Sequence, residues 1–492
     1  MKSIAPGIPP VVTIDRAAAK PLYRQLCDGY RDAIVERRLR GGQRLPSTRA
    51  LAAELRISRI PVLNAFEQLI AEGYFESRKG SGTFVASALG LETPTKGRAS
   101  PGSGKRPGPR VLARRPATLL RSTPEPWLGG FGAFRLSEPA VEHFPIAIWS
   151  RLIARHSRNL TRGAMTYGSP MGSLPFREAV AAYLRTARAV SCEADHIMVV
   201  SGSQQALEIT ARVLLDPGQS VWIEEPGYGG ARDALAMAGA RLVPVPVDDS
   251  GLDVAAGIKR CPGARAAYVT PSHQYPLGVT MSPSRRLQLL EWAQATGAWV
   301  IEDDYDSEYR YEGHPITALQ GLDRDARVIY IGTFSKVLFP ALRVGYLVIP
   351  PDLAGRFMAV RDAMDICPPA LSQAVLTDFI VEGHFARHLR RTRAIYAERR
   401  SVLVEALHRE PGVTFEVVGA QAGIHLTAIL ANGSRDLAIS ERAARNGLWA
   451  MPLSTCYLGS RTRQGLVLGY GGTSAAQIPG AVRRLRRALD AG

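Results

Sequence analysis

Residues 332–346 read GTFSKVLFPALRVGY. In this stretch Lys336 follows a turn of small polar residues and precedes an apolar run, and Arg343 comes seven positions later. A lysine becomes a nucleophile when its ammonium group is desolvated or lies near other positive charge, because both lower its pKa. The hydroxyls of Thr333 and Ser335, the backbone donors of the turn and the Arg343 guanidinium suit a phosphate group. The stretch therefore predicts a site for a small molecule that carries both a carbonyl and a phosphate.

Pyridoxal 5'-phosphate (PLP) fits that description, and other residues that it requires occur at the ends of predicted strands. Its pyridine nitrogen needs a carboxylate partner. The segment VIEDDY places Asp303 and Asp304 at a strand end, where the ligands of α/β sheets gather. The sequence thus offers two adjacent candidates for this carboxylate.

Two further turns fit the same cofactor. VVSGSQQAL offers Ser203 and Gln204 between a strand and a helix, and a helix N-terminus suits phosphate. EEPGYGG places Tyr228 just after another strand, where its ring could stack on the pyridine. Each feature alone is as well explained by an ordinary turn or a solvated loop. Four of them in this order, each at a strand end, favour a PLP site.

Short apolar segments alternate with helical ones from Trp127 onward. HIMVVSG, SVWIEEPG, RAAYVTPS and AWVIEDDY are typical of buried strands, whereas PFREAVAAYLRTA and SPSRRLQLLEWAQATG are typical of helices. This alternation predicts the α/β class, with a mainly parallel sheet sandwiched by helices.

Composition and charge bound the class of protein. The 492 residues are 46% hydrophobic and 21% charged, which is ordinary for a globular protein. No apolar run is long enough to span a bilayer, and the N-terminus lacks the apolar core of a signal peptide. The five cysteines show no metal-ligand spacing, so we expect free thiols and no metal. We therefore expect a cytoplasmic protein, associated with the nucleoid when bound to DNA.

The positive charge is concentrated near the N-terminus. Of the net +17, twelve charges fall in residues 1–126, where residues 1–86 contain 14 Lys and Arg against eight Asp and Glu and residues 87–126 contain eight against two. Such asymmetry is compatible with a solvated basic surface and with contact to a polyanion.

Residues 19–86 have the pattern of a winged helix-turn-helix. Apolar residues at helical spacing predict a first helix over residues 19–40, Ser47 can cap a second helix, and Ser58 can cap a third that tolerates Pro61 in its first turn. Two strand-like pieces then flank the turn Lys79-Gly80-Ser81-Gly82. Helix, turn, helix and hairpin in this order predict a DNA-binding module.

The position of a residue in such a module predicts which part of the DNA it contacts. Arg59 begins the third helix, where side chains reach base edges in the major groove. Arg49 and the glycine-rich wing tip suit phosphates. The candidate DNA-binding residues are Arg49, Ser58, Arg59, Lys79, Gly80, Ser81, Gly82 and Thr83.

The segment between the two modules differs from both. Residues 87–126 are rich in Pro, Gly, Ser and Arg, a composition that cannot bury a core, so it predicts a flexible linker. The expected organisation is therefore a DNA-binding domain at 19–86, a linker at 87–126 and a larger domain at 127–490.

The two modules resemble known families. LPSTRALAAELRIS followed by EQLIAEGYFESRKGSGTFV is similar to the GntR-type winged-helix domain of bacterial regulators. YGSPMGSLPFREAVAAYL, TPSHQYPLGVTMS, IEDDYDSEYRYEG and GTFSKVLFPALRVGY are similar to fold-type I aminotransferases. Joined, they resemble the MocR/GabR subfamily of regulators, which implies a small C-terminal α+β subdomain.

The resemblance implies roles for individual residues. Lys336 matches the lysine that forms the Schiff base with PLP, and Asp303 matches the acid facing the pyridine nitrogen, with Asp304 as the alternative. Tyr305 matches a partner of the phenolic oxygen and Tyr228 matches the stacking aromatic. The phosphate ligands matched are Ser203, Gln204, Ser335 and Arg343, together with Tyr167, which in the family reaches the phosphate of the neighbouring subunit. The last match implies a homodimer.

Two positions depart from the aminotransferase pattern. Tyr275 precedes Pro276 where those enzymes have asparagine, and Val467 in LVLGY stands where they have an arginine that binds the substrate carboxylate. Arg461 and Arg463 lie close by in sequence. Losing such a bidentate contact costs about 1.5–3 kcal/mol, so we expect transamination to be weak.

These observations predict a PLP-binding transcription regulator that binds paired promoter sites on double-stranded DNA. Its large domain would sense PLP itself or an amine. Two alternatives stay open from the sequence: a working PLP-dependent aminotransferase that carries a DNA-binding domain, and a structural nucleoid-binding protein with a vestigial fold.

Overall fold

A computed structural model of the chain describes residues 12–87, 130, 132–311, 316–410, 415–431, 434–459 and 463–490. The chain divides into two compact units, Met1–Arg110 and Val111–Gly492. The linker predicted at 87–126 lies, apart from Ser87, outside the described residues, so the three-part division stays a prediction. No helix within the described ranges is both long and apolar enough to cross a membrane.

The first unit consists of three helices followed by a hairpin. Its elements are α1 (Leu22–Val35), α2 (Thr48–Glu54), α3 (Arg59–Ala71), β1 (Phe75–Arg78) and β2 (Gly82–Val85). The strands pair antiparallel, with Phe75 opposite Val85. This order of elements is the predicted winged helix-turn-helix.

Aromatic packing holds the helices against the hairpin. Tyr30 from α1, Phe66 from α3 and Phe75 from β1 meet edge to face, with ring centroids 5.1–6.0 Å apart. All three rings are buried. Each such pair adds about 0.5–1.5 kcal/mol beyond the area that it buries, so the wing and the third helix are fixed in one arrangement.

The helix caps of this unit differ from the sequence prediction at one position. Ser47 caps α2 as predicted, because its hydroxyl accepts a hydrogen bond from the Ala50 N–H (3.2 Å). Ser58 occupies the N-cap position of α3, but its side chain makes no capping hydrogen bond. The prediction that the Ser58 side chain caps α3 was therefore wrong. The extended backbone of Ser58 starts the helix instead. Pro61 lies in the first turn, where no intrahelical partner is lost.

The second unit is built around an eight-stranded sheet. Across the sheet the strands are β3 (Ile197–Val200), β10 (Gly345–Val348), β9 (Val328–Thr333), β8 (Trp299–Asp304), β7 (Ala266–Val269), β4 (Ser220–Glu225), β5 (Arg241–Asp248) and β6 (Gly251–Leu252). Neighbouring strands are parallel except at β10, which is antiparallel to β3 and β9, and at the edge strand β6. The predicted mainly parallel sheet is thus confirmed.

Helices cover both faces of the sheet. The helices from α4 to α12 are α4 (Ile146–Arg158), α5 (Leu174–Arg188), α6 (Ser203–Leu214), α7 (Gly229–Met237), α8 (Val254–Arg260), α9 (Pro283–Thr296), α10 (Ala354–Asp365), α11 (Ala370–Val381) and α12 (His384–Arg409). Val300 and Ile301, adjacent in β8, belong to different apolar clusters. Because successive strand residues point to opposite faces, the continuous apolar runs of the sequence follow from this double coverage.

A small subdomain follows in the chain. Its antiparallel sheet has the order β11 (Glu416–Val418), β12 (His425–Ile429), β14 (Gly465–Gly469) and β13 (Met451–Pro452), and its helices are α13 (Asp436–Arg445) and α14 (Ile478–Asp490). This is the α+β subdomain that the resemblance implied.

Several strands of the large sheet end at one edge. Strands β4, β7, β8 and β9 run parallel, and β3 runs with them because it is antiparallel to β10. Their carboxyl ends therefore lie along the same edge, which is where α/β proteins bind ligands.

Candidate functional site

A cavity lies at this edge of the sheet. Its lining residues are Leu136, Ser137, Ser203, Gln204, Tyr228, Tyr268, Thr270, Tyr275, Asp303, Tyr305, Thr333, Ser335, Lys336, Pro340, Arg343, Ile424 and His425. The structure thus brings together all the sequence-predicted residues of the cofactor site except Tyr167. They come from the ends of β3, β4, β8 and β9 and from the residues preceding β10.

Lys336 follows β9 and lies half-buried in this cavity. The pKa of its ammonium is lowered from 10.5 to about 8, chiefly by burial; Asp306 and Asp303 oppose this shift, and the Arg343 guanidinium adds to it. The net shift makes the neutral, nucleophilic amine accessible near physiological pH.

Asp303 occupies the buried wall of the cavity. One carboxylate oxygen accepts a hydrogen bond from the Tyr268 hydroxyl (2.8 Å), and the other, Oδ1, has no partner. Only 4% of the residue is exposed, and burial raises its pKa to about 7. A buried carboxylate oxygen without a donor is costly. The protonated pyridine nitrogen of PLP would supply that donor, so the residue present fits the cofactor.

Asp304 cannot play the same role. Its carboxylate is buried and forms an ion pair with Arg188 (2.8 Å), and it also accepts a hydrogen bond from the Tyr330 hydroxyl (2.6 Å). Adjacent residues of a strand point to opposite faces of a sheet. The alternative that the sequence left open is therefore removed, and Asp303 is the acid that lines the cavity.

Hydroxyl groups and one arginine form the end of the cavity suited to phosphate. The Thr333 hydroxyl donates to the Ser335 hydroxyl (3.0 Å), and Ser203 is the first residue of α6. Arg343 has a left-handed backbone conformation (φ 52°) and donates from Nη2 to the Ser201 carbonyl (2.6 Å). Gly202 allows this approach, because a Cβ there would lie 3.0 Å from the Arg343 guanidinium.

Aromatic residues also line the cavity. Tyr228 meets Tyr275 edge to face at 5.6 Å, and burial raises the pKa of the Tyr228 hydroxyl to about 12. The Tyr305 hydroxyl donates to the His273 carbonyl (2.9 Å). Both Tyr228 and Tyr305 are protonated donors at neutral pH and can contact a flat aromatic ring.

Two of the cavity residues that the sequence reasoning missed are Tyr268 and His425. Tyr268 donates to Asp303 from the neighbouring strand, and His425 comes from the small subdomain. Neither carries a motif, since a tyrosine within an apolar run and a histidine in AGIHL both read as core residues. The pairing of β7 with β8 would have been needed to find Tyr268.

Tyr167 does not line the cavity of its own chain. It is 81% exposed. A tyrosine that reaches the site of another subunit needs such exposure, so its assignment stays a prediction.

The departure at Val467 is structural as well as chemical. Val467 is fully buried in an apolar cluster with Leu277, Met451 and Tyr457. Arg463 forms an ion pair with Glu416 at the surface (2.8 Å), while Arg461 lies outside the described residues. The position that the resemblance matches to a carboxylate-binding arginine is thus part of a hydrophobic core.

The first unit presents its candidate DNA contacts to solvent. Arg59 at the start of α3 is exposed and donates from Nε to the Thr48 hydroxyl (3.2 Å). Gly80 and Gly82 adopt positive φ angles of 78° and 108° at the wing tip, where other residues would be strained. Of the other predicted residues, Arg49, Ser58, Lys79 and Ser81 are exposed and Thr83 is half-buried.

Family models match both units. Residues 22–85 match the model described as bacterial regulatory proteins, gntR family, and residues 139–485 match aminotransferase class I and II. The second match alone covers more than half of the chain.

Full-length relatives combine both units. The probable rhizopine catabolism regulatory protein MocR of Rhizobium meliloti is 40% identical over 97% of this chain and 96% of its own length. The pyridoxine biosynthesis transcriptional regulator PdxR of Corynebacterium glutamicum is 32% identical over 91% of each chain.

Among solved structures, the α-aminoadipate aminotransferase LysN of Thermus thermophilus, complexed with N-(5'-phosphopyridoxyl)-L-leucine, is 29% identical with a TM-score of 0.71. It covers 77% of this chain and 97% of its own. Together with the winged helix and the cavity around Lys336, these matches place the chain in the MocR-type family of GntR transcription regulators, which carry a PLP-dependent aminotransferase-like domain.

Proposed function

We propose that this regulator holds PLP covalently at Lys336 and that the occupancy of this cavity controls promoter binding by the winged-helix unit. The observation that carries the proposal is one cavity containing both a lysine whose pKa is lowered to about 8 and a buried carboxylate oxygen, Asp303 Oδ1, that lacks a donor. A lone surface lysine would have neither feature.

Different residues of the cavity would bind different parts of the cofactor. Asp303 would pair with the pyridine nitrogen, Tyr228 and Tyr305 would contact the ring and its oxygen, and Arg343 with the neighbouring hydroxyls would bind the phosphate. When bound, PLP supplies an aldehyde that condenses with a primary amine and releases water. The work of the chain is to keep Lys336 desolvated and to fix the ring against Asp303.

A homodimer is part of the proposal. Tyr167 is exposed in a single chain, and Met165 beside it is also exposed. Both side chains are therefore available to a partner subunit. A dimer would present two winged-helix units to a paired DNA site.

Regulation requires a ligand with different affinities for two arrangements of the protein. The ligand is PLP itself or an amine that reacts at the same cavity; the relative PdxR is named for pyridoxine biosynthesis. The direct test is a footprint of promoter-bound protein titrated first with PLP and then with amines. A colourless protein that stays colourless with PLP contradicts the proposal, as does a footprint unchanged by every addition.

The pKa of Lys336 predicts how covalent PLP uptake depends on pH. Only the neutral amine attacks an aldehyde, and its fraction rises about tenfold per pH unit below the pKa. With a pKa lowered to about 8, the uptake rate of the cofactor-free protein should rise up to about pH 8 and then level off. Stopped-flow absorbance would measure it. Free N-acetyl-lysine is the control, and its rate should keep rising to about pH 10; the same profile for the protein would contradict a desolvated Lys336.

The position of Arg59 at the start of α3 predicts how its mutation changes DNA affinity. Arg59→Ala should weaken binding to an operator selected from random DNA by about 1–3 kcal/mol and relax the preference at one base position, because a base-reading arginine is lost. Lys79→Ala at the wing tip is the comparison, since a phosphate contact should weaken all sequences evenly. Equal losses for Arg59→Ala on every sequence would reduce it to a phosphate contact.

A second function, transamination, is supported by the predicted cofactor residues that line the cavity and weakened by Val467. Turnover assays with panels of amino acids and keto acids separate the two. Turnover typical of an enzyme would favour the aminotransferase, whereas slow or absent turnover with a ligand-dependent footprint favours the regulator.

A further inference from the structure

The cavity contains a hydrogen-bond acceptor that the cofactor residues do not use. His425 lines it from β12 and is only 4% exposed. The Pro276 carbonyl accepts a hydrogen bond from the ring, while Nε2 has no partner. Burial, His273 and Lys336 lower the pKa of the ring well below its usual value, so it is neutral. With the proton on the other nitrogen, Nε2 is a bare acceptor.

A second unpaired acceptor lies next to it. Asp306 is 1% exposed, and its Oδ1 accepts a hydrogen bond from His273 Nδ1 (3.0 Å), whereas Oδ2 has no partner. One ring nitrogen of His273, one ring nitrogen of His425 and one carboxylate oxygen of Asp306 all lie within 4.8 Å of one another. Two neighbouring buried acceptors without donors, one of them on a residue that lines the cavity, are a costly arrangement unless a ligand supplies a donor.

Positive charge is scarce at this end of the cavity. Among the lining residues that the structure describes, the Lys and Arg side chains are Lys336, whose pKa is lowered to about 8 and whose amine would hold the cofactor, and Arg343 at the phosphate end. Val467 is sealed in an apolar cluster, and Arg463 is engaged by Glu416. A ligand carboxylate in this cavity would lie near Asp303 and would have no cation of its own, so the site disfavours α-amino acids.

We propose that the ligand sensed here is a primary amine that carries hydroxyl groups or a second amine as hydrogen-bond donors and carries no carboxylate, with His425 Nε2 accepting one of these donors. The inference rests on the proposed function, because the amine must meet the cofactor at Lys336. Asp306 Oδ2 adds negative potential that favours a donor-rich or cationic ligand. Compared with aminotransferases, the site would thus lack a carboxylate-binding arginine and would have His425 as a hydrogen-bond acceptor for the ligand.

The test uses two probes that differ only in the group at issue. 2-Aminopropane-1,3-diol has the skeleton of L-serine with a hydroxymethyl group in place of the carboxylate. Calorimetry with the full-length PLP-loaded protein should show the diol binding at least tenfold more tightly than L-serine. Equal affinities, or tighter binding of L-serine, would overturn the inference while leaving the PLP-dependent regulator intact. A protein that takes up no PLP would overturn both.

Two variants isolate His425. The reference probe for this step is 2-aminopropane, which has the carbon skeleton of the diol without its hydroxyls. His425→Phe keeps a flat ring without an acceptor and should reduce the preference for the diol over 2-aminopropane about tenfold, whereas His425→Gln restores a carbonyl acceptor and should recover most of it. The preference is a ratio measured within one protein, so a general loss of stability does not mimic the effect. An unchanged ratio in His425→Phe would overturn the role of His425.

The same three residues could instead bind a metal ion. A metal bound by His273 Nδ1 would replace the hydrogen bond from that nitrogen to Asp306. Calorimetry of the diol after treatment with EDTA decides between the two. Retained binding supports hydrogen-bond recognition, and binding that is lost with EDTA and restored by Zn²⁺ would overturn it in favour of a metal site.

Discussion

A Lys336→Ala protein should hold no covalent PLP. After reduction with borohydride and denaturation, the unmodified protein should keep the mass of one cofactor, whereas the variant should keep none. The reason is chemical: the attachment needs a neutral amine beside the aldehyde, and burial lowers the pKa of Lys336 to about 8 in the cavity. Intact-mass spectrometry of the denatured chains measures this loss directly and requires no enzymatic turnover.

The chain supplies a matched control. From residue 127 onward it contains two lysines, Lys259 and Lys336. Lys259 is exposed near the end of α8 and does not line the cavity. Lys259→Ala should therefore keep the full cofactor mass. A variant at Lys336 that still carries reduced cofactor, or a control that loses it, would show that the attachment site is misassigned.

The DNA unit gives an independent measure of folding for the same variants. Lys336→Ala removes a side chain from the second unit and none from the winged helix. We expect its affinity for DNA without cofactor to equal that of the unmodified protein without cofactor. The difference between the two proteins should appear only when PLP is added.

The cofactor side of the site could be predicted from the sequence because it is local. Lys336, Ser203 and Tyr228 each follow a strand that an apolar run reveals, and Asp303 lies in such a strand just before its end at Asp304. Parallel strands bring these ends to one edge. The choice between Asp303 and Asp304 needed the structure. Strand alternation separates the two carboxylates, but which face carries the cavity depends on the packing of helices that no short segment encodes.

The ligand side could not be predicted in the same way. His425 reaches the cavity from another sheet, and its importance lies in an unpaired ring nitrogen rather than in a motif. The hydrogen bonds of a buried group depend on residues distant in sequence, which spacing does not reveal. The cap predicted for Ser58 failed for a related reason, because a residue type favoured at an N-cap position need not orient its hydroxyl toward the helix.

The buried ion pair beneath the site should be essential for stability. Arg188→Ala should lower the free energy of unfolding of the large unit by about 3–5 kcal/mol, because it leaves the Asp304 carboxylate buried without its cation. Both side chains are 3% exposed. Arg188 also donates to the Ser272 hydroxyl (2.8 Å) and the Ile316 carbonyl (2.5 Å), so the truncation removes further donors. Chemical denaturation followed by tryptophan fluorescence measures the loss.

An exposed pair provides the contrast. Arg463→Ala breaks the surface pair with Glu416 and should cost no more than about 1 kcal/mol. Combining Arg188→Ala with Asp304→Asn should recover part of the loss, because the unpaired charge disappears.

The loss of the ion pair should also affect cofactor binding, since Asp304 anchors the strand end that carries Asp303. Arg188→Ala should therefore also weaken PLP retention, and a variant as stable as Arg463→Ala with normal retention would show that the pair does not position this edge of the sheet.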